Sequence, residues 1–308
     1  MGLLNWLKAP PEVATEPTEL PKPLPEPTPL PKPQGQNNYL LIILDSCRFD
    51  SLLAAHPKHL LKLGSLERRW SYASWTAPSH YNLLMGLLPH TSPTQVFASE
   101  HYKQDYLRYN ERLGTQQPIE FRHLLPHLYL PTLLKHQLGY NTHAMVSLPV
   151  LNPNTLLNRD FDSYRLMPQH NDMAAMVEQL HFDPERPSFY LLNVGETHYP
   201  YALPDQDPSL WPRISGVNGV LKRLDESGDE GIPFFDPAQL EALRQQQIEA
   251  VRYLDGIFEQ LFDLVPENTY ITVTADHGEL FGEGGYFGHG PIHHEKVLEV
   301  PFIEGKIR

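Results

Sequence analysis

In the run TADHGELFGEGGYFGHG, a carboxylate and an imidazole stand side by side at Asp276 and His277, and a second imidazole, His289, follows twelve residues later. Neutral imidazoles and carboxylates suit zinc or manganese, whereas an oxygen-only calcium site would leave the histidines unused. Asp45 closes the apolar run LLIILD in a comparable setting, as a helix cap or a metal oxygen. The segment ETHYPY places Glu196 and His198 after another apolar run, Glu196 as a pocket candidate and His198 as a turn residue or a ligand. A fourth stretch, SWTAPSHYNLLMG, sets Thr76, Ser79 and His80 ahead of an apolar pattern. Hydroxyl residues in that position are common helix caps, so Thr76 stands between a cap and a nucleophile.

The elements that must position these groups follow from hydrophobic patterning. Residues 39 to 44 are continuously apolar, as expected of a parallel strand covered on both faces. Similar units occur at residues 139 to 150 and 188 to 194 and in TYITVT. Asp45, Glu196 with His198, and Asp276 with His277 then fall at strand C-terminal ends, where open α/β sheets place their chemistry. Asp236, Pro237 and Gln239 spell a helix start with a capping box, and Ile248, Val251, Leu254, Ile257, Phe258 and Leu261 trace one apolar helix face. The predicted fold is a single α/β core with a mostly parallel central sheet flanked by helices. Residues 214 to 236 form a polar, glycine-containing insertion expected to be a loop or lid over a cleft.

Composition narrows the function. The chain has 308 residues, 41% hydrophobic and 20% charged, enough for one large core. A formal charge of −13 and the lack of a basic stripe argue against nucleic acid as a partner. With Cys47 as the lone cysteine, an intramolecular disulfide and a thiolate zinc cluster are both excluded. Residues 1–36 are dense in proline and glutamate and read as a flexible tail ahead of a 37–308 catalytic domain. No run is long enough to span a bilayer and no secretory leader is evident, so a cytoplasmic location is expected. The opening MGLLNWLK is short and apolar, compatible with weak attachment to a membrane surface or a protein.

These motifs together resemble the alkaline phosphatase and sulfatase superfamily of metalloenzymes. LIILDSCRFD is similar to its first metal-binding strand end, TAPSHYNLLMG to its nucleophile segment, and TVTADHGELFGEGGYFGHG to its C-terminal ligand segment; the helix YLDGIFEQL and the run HHEKVLEVPFI extend the likeness over most of residues 38–303. The resemblance implies that Asp45, Asp276 and His277 hold a principal divalent metal, zinc or manganese, with Thr76 Oγ1 reaching it. It implies a second metal or a substrate oxygen at His289, one or two ions in all, and places His198 at the family's middle histidine. Glu196 stays a pocket candidate.

Within that superfamily the nucleophile segment decides the chemistry. Sulfatases carry Cys or Ser in C/S-x-P-S-R and convert it to formylglycine; this chain reads Thr76-Ala77-Pro78-Ser79-His80. Threonine bears a methyl group on the carbon that would become the aldehyde, which disfavours that modification. His80 also replaces an arginine, which would offer a permanently charged fork, and is a candidate to line the substrate pocket. The expected activity is therefore hydrolysis of a small phosphate monoester or diester through a covalent Thr76 intermediate, with His198 and His289 stabilising charge. The alternatives are a phosphoethanolamine-like phosphotransferase, a sulfatase-like hydrolase without formylglycine, and a noncatalytic module binding a phosphorylated partner.

Overall fold

The computed structural model describes residues 36–92, 98–116, 119, 129–204, 206, 207, 209, 211–214, 235–290 and 292–307. The proline-rich tail, but for residue 36, and residues 215–234 of the expected lid lie outside the described residues. Seven strands form one sheet: β1 (Asn38–Leu44), β2 (Glu67–Trp70), β3 (Asn141–Val146), β4 (Ser163–Leu166), β5 (Ser188–Val194), β6 (Thr269–Thr274) and β9 (Glu299–Lys306). Their spatial order is β2-β9-β6-β1-β5-β3-β4. β1 pairs in parallel with both β5 and β6, and β3 with both β4 and β5, while β9 runs antiparallel to β6 and β2. β7 (Leu280–Phe281) and β8 (Phe287–Gly288) form a separate small ribbon.

The central strand explains why the sheet is buried on both faces. All seven residues of β1 are inaccessible or nearly so, and they alternate between two apolar clusters: Leu40, Ile42 and Leu44 on one side, Tyr39, Leu41 and Ile43 on the other. The first cluster is closed by α1 (Phe49–Ala55), α5 (Met173–Glu178) and the long α6 (Pro237–Leu264). The second is closed by α2 (Thr76–Leu84), α4 (Tyr109–Leu113) and neighbouring loops, with α3 (Ala98–Leu107) preceding α4. Each fully buried Leu or Phe in these clusters contributes about 1.5–3 kcal/mol.

Helix α6 presents the expected face: Ile248, Val251, Leu254, Ile257, Phe258 and Leu261 are all buried. Its start is capped by Asp236, whose carboxylate accepts from Ala238 N at 2.9 Å. Gln239 is exposed and makes no return bond among the described residues, so the expected capping box is half built. The same helix carries two polar residues inward. Gln247 is buried beneath the ends of β1 and β5, and Asp255 accepts backbone N–H bonds from Lys58, His59 and Leu60 at 2.8–3.0 Å.

The antiparallel strand β9 contains Pro301, an unusual residue for the interior of a sheet. Its place is tolerated on the β6 side because that pairing stops at Thr274 and Phe302, while on the other side Pro301 stands opposite Arg68 of β2. Thr274 Oγ1 donates to the Pro301 carbonyl at 2.7 Å and closes the gap.

The Asp255 anchor gives a stability prediction. Asp255→Ala strands the N–H groups that open the turn at Leu60, and a loss of about 2–3 kcal/mol is expected. Denaturant unfolding of both proteins, with the midpoint shift at constant slope, measures it.

Candidate active site

Three strand ends converge. β6, β1 and β5 are adjacent and parallel, and the register that sets Ile43 beside Thr274 and Asn193 carries Asp45, Asp276 and the 195–198 turn to one edge of the sheet. Ligand atoms of Asp45, Asp276 and His277 lie within 4.8 Å of one another, and all three residues are buried.

Each ligand atom is held from behind. Ser46 adopts a left-handed conformation (φ 59°), which lets its N–H reach Asp276 Oδ1 at 3.1 Å; the His277 N–H meets the same oxygen at 2.9 Å. Asp276 Oδ2 has no hydrogen-bond partner although it is buried. His277 Nδ1–H donates to the Gly278 carbonyl at 2.9 Å, which leaves the Nε2 lone pair directed at Asp276 Oδ2, 3.3 Å away. Asp45 Oδ2 accepts from Asn193 Nδ2 at 2.8 Å.

Burial, with the Asp45 charge added, pushes the Asp276 carboxyl well above its ordinary range. Burial opposes ionisation of Asp45 as well, but His198, His277, His80 and the Asn193 bond together hold it below the usual value. Burial drives His277 strongly towards its neutral form, with His289 assisting. An orphaned buried carboxylate oxygen, a second buried carboxylate and a free imidazole lone pair form a donor set that fits a divalent cation taking nitrogen and oxygen ligands, such as zinc or manganese.

Thr76 is the first residue of α2, and the cap position is Trp75, which supplies no side-chain cap bond. The Thr76 hydroxyl instead faces the cluster, with Oγ1 3.3 Å from His277 Nε2. His80, one turn on, donates from Nδ1 to the Thr76 carbonyl at 2.8 Å and accepts at Nε2 from Asn193 Nδ2 at 3.4 Å. It is 1% exposed and burial pushes it towards the neutral ring, so it braces Thr76 from behind rather than lining an open pocket. Ser79 Oγ donates to the Ala73 carbonyl at 3.1 Å, a turn role.

His289 and His198 stand on the open side. The His289 ring lies 4.3 Å from that of His277 and 5.4 Å from that of His198, centroid to centroid. His289 is outside the three-residue ligand group, and its Nδ1 meets Glu279 Oε1 at 3.4 Å. Burial alone would lower its pKa, but the bond to Glu279 and that carboxylate's charge raise it above the ordinary value. His198 Nδ1–H donates to the Tyr199 carbonyl at 2.9 Å, leaving Nε2 unengaged by that bond. Glu196 turns elsewhere. It is fully buried, its Oε1 accepts from Met173 N at 2.9 Å at the start of α5, and burial raises its pKa to about 7. That corrects the expectation of a pocket-lining Glu196.

The loops carrying the site are tied together by residues that its motifs did not reveal. Gln247 Nε2 donates to the carbonyls of Ser46 and Thr197, both at 3.0 Å, joining the β1 and β5 ends. Arg48 grips Asp50 with two bonds of 2.6–2.7 Å and Glu283 with one of 2.6 Å, joining the β1 end to the glycine-rich turn. That turn uses left-handed backbone at Gly282, Gly284 and Gly285 to bring His289 back. Of the missed residues only Glu279, in its DHGE setting, had a legible signal in the sequence. Cys47 is buried and inert, its thiol held protonated by burial.

Residues 37–303 match the family model for sulfatases. The chain belongs to the sulfatase family. Its members and their structural neighbours make up the alkaline phosphatase and sulfatase superfamily, whose enzymes hydrolyse or transfer sulfate and phosphate esters. Among curated proteins it is 24% identical, over 273 residues, to the low-salt glycan biosynthesis sulfotransferase Agl7 of Haloferax volcanii, covering 87% of this chain and 54% of that one. The chain thus spans about half the length of that relative. Among solved structures, the C-terminal periplasmic domain of EcEptC from Escherichia coli, in complex with Zn, superposes with a TM-score of 0.53 at 16% identity, covering 91% of this chain and 76% of that one. A 2-O GAG sulfatase superposes at 0.50 with 12% identity, covering 88% and 64%. These likenesses are of fold. Among the described residues no helix is long and apolar enough to cross a membrane.

Asn193 offers a test of the metal reading apart from turnover. It orients Asp45 without being a ligand, so Asn193→Ala is expected to weaken zinc binding by about 10–100-fold. Competition with a chromophoric chelator gives the dissociation constants; equal affinities would remove Asn193 from the support of the site.

Proposed function

We propose that this sulfatase-family protein is a metal-dependent phosphoric ester hydrolase acting through a covalent Thr76 intermediate. The observation that carries the reading is that Thr76, freed from capping α2, sets Oγ1 3.3 Å from His277 Nε2 at the Asp45–Asp276–His277 donor set. Those three residues, with Thr76, would hold a divalent cation. When bound, it supplies Lewis-acid charge stabilisation and eases deprotonation of the threonine hydroxyl.

The remaining chemistry belongs to the chain. Thr76 Oγ1 forms a bond to phosphorus as the ester P–O bond breaks, its own proton passing to solvent and returning from solvent when the intermediate is cleaved, and the departing oxygen takes a proton from His289, whose charged form Glu279 favours. His198 in its doubly protonated form, with Nδ1–H engaged by the Tyr199 carbonyl, donates from Nε2–H to a nonbridging oxygen. Water then cleaves the Thr76 phosphoester and returns a proton to His289, so that ester and water become phosphate and alcohol. Small phosphate esters in the cytoplasm are the proposed substrates, with no nucleic acid involved.

A phosphotransferase reading shares the first half-reaction and differs in the acceptor, an alcohol in place of water. The fold likeness to the C-terminal periplasmic domain of the phosphoethanolamine transferase EptC from Campylobacter jejuni, at a TM-score of 0.50 and 12% identity, favours it as the second reading. Sulfate ester hydrolysis is supported by the family but lacks a residue able to become formylglycine, since Thr76 carries a β-methyl group.

The test compares wild type and Thr76→Ala, both assayed for bound metal, on aryl phosphate monoesters, phosphodiesters, phosphonate esters and sulfates, with and without alcohol acceptors. A fall in kcat of at least about 10³-fold on a phosphorus ester is expected for Thr76→Ala. Products formed with the alcohol distinguish transfer from hydrolysis. Equal turnover by both proteins would end the Thr76 mechanism, and metal-replete wild type without turnover would leave a binding module.

A further inference from the structure

Tyr201, in the turn that follows β5, is fully buried and adopts a left-handed backbone conformation (φ 58°). A bulky side chain is rare in that region and persists there only where its surroundings hold it, a pattern that clusters at functional sites. Two sets of contacts hold this one. The ring belongs to a small apolar cluster with Leu243 of α6 and Phe287 of β8, beside the rings of Tyr199 and Phe281. The backbone is fixed from both directions: the N–H donates to the His198 carbonyl at 2.8 Å, and the carbonyl accepts from Gln246 Nε2 of α6 at 3.1 Å.

The hydroxyl reaches from this cluster to the reaction centre. Tyr201 Oη donates to Glu279 Oε2, while the other oxygen, Oε1, meets His289 Nδ1 at 3.4 Å. Glu279 is fully buried, and among the described residues these two are its side-chain partners. Ser46 Oγ lies 3.4 Å from the same imidazole nitrogen but already donates to Asp45 Oδ1 at 3.2 Å, so Glu279 is the charged acceptor there. With one donor at each oxygen, the plane of the carboxylate is set from both ends. The last torsion of a glutamate is broad, so a carboxylate that loses the phenol is free to turn, and the imidazole resting on its other oxygen turns with it. Burial, with the Glu279 charge added, raises the Tyr201 pKa well above its ordinary value, and the hydroxyl stays a donor.

We propose that Tyr201 is a positioning residue for His289, acting through Glu279: the phenol fixes the carboxylate, and the carboxylate keeps the imidazole on Nδ1 with Nε2 turned to the departing ester oxygen. A buried phenol could be satisfied by any backbone carbonyl. Its donation to Glu279 is what connects the turn carrying His198 to the second histidine. The part played in the reaction rests on the esterase reading above; the placing of the ring does not.

The test uses the zinc-loaded full-length protein and the class of phosphorus ester that it turns over fastest, in nitrophenyl and alkyl forms. A nitrophenolate leaves without a proton, whereas an alkoxide needs the one from His289. Tyr201→Phe, which removes one oxygen and keeps the packed ring, is expected to lower kcat/KM about tenfold or more on the alkyl ester and no more than about twofold on the nitrophenyl ester. Loosened packing would lower both alike. In a Glu279→Gln background the same change is expected to add no further split between the two esters. An equal fall on both, no fall on either, or a full split surviving in Glu279→Gln would overturn the proposal. A second measurement needs no turnover: the ¹⁵N resonances of the His289 ring, assigned by their loss in His289→Asn, are expected to shift in Tyr201→Phe, with the remaining histidine resonances reporting the fold. Unchanged His289 resonances would overturn the proposal as well. Their shift in a protein that turns over no ester would retain Tyr201 as the support of His289 and reject the esterase reading.

Discussion

Two buried carboxylates, Asp45 and Asp276, meet where adjacent parallel strands end, and the rest of the site is arranged around the cost of keeping them there. In a medium of low polarisability two like charges this close repel strongly, and Asp276 carries too few hydrogen bonds to offset its desolvation. Asp276 shows the conflict most directly, with one oxygen satisfied by two backbone N–H groups and the other left without a partner. A cation or a proton between the two groups would relieve that conflict. The fold supplies the position: β1 and β6 are neighbours with Ile43 beside Thr274, so Asp45, one residue past β1, and Asp276, two residues past β6, fall opposite one another.

A cluster with that internal tension needs rigid backing, and the backing comes mostly from uncharged groups. Asn193 links Asp45 to the β3 end and to His80; Gln247 pins the carbonyls behind Ser46 and Thr197; Thr197 Oγ1 donates to the Asp45 carbonyl at 2.8 Å. Arg48 is the charged exception, and it spends its fork on Asp50 and Glu283, outside the three-residue ligand group. Amides and hydroxyls can fix direction without altering the charge balance that a cation must meet.

Much of this architecture was legible because parallel strands covered on both faces write continuous apolar runs. Residues 39–44 and 188–194 appear as β1 and β5 almost without adjustment, and Asp45, Asp276 and His277 fall at the strand ends that the patterning indicated. β9 was legible only through family resemblance, since Pro301 argues against an interior strand until the early end of β6 pairing is known. Asn193 and Gln247 were hidden for a different reason: a single amide within an apolar strand or helix face carries no periodic signal, and its meaning depends on which loop ends lie beside it. Glu196 misled because its place after a strand matched that of a ligand, whereas its carboxylate serves the start of α5. Thr76 could not be settled from sequence either, because a helix cap and a first-turn nucleophile differ by one residue of register.

The substitution of histidine for the usual arginine at position 80 becomes intelligible in the same terms. A guanidinium cannot be neutralised, and one placed beside Asp45 and Asp276 would itself supply the countercharge. His80 is buried, its ring is pushed towards neutrality, and its two nitrogens are occupied by the Thr76 carbonyl and Asn193. His277 is driven neutral by burial as well. His289 has its charged form favoured instead, through its bond to Glu279 and that carboxylate's charge. Neutral histidines at positions 80 and 277 leave the two buried carboxylates to find their countercharge elsewhere, which a permanently charged arginine at position 80 would have forestalled.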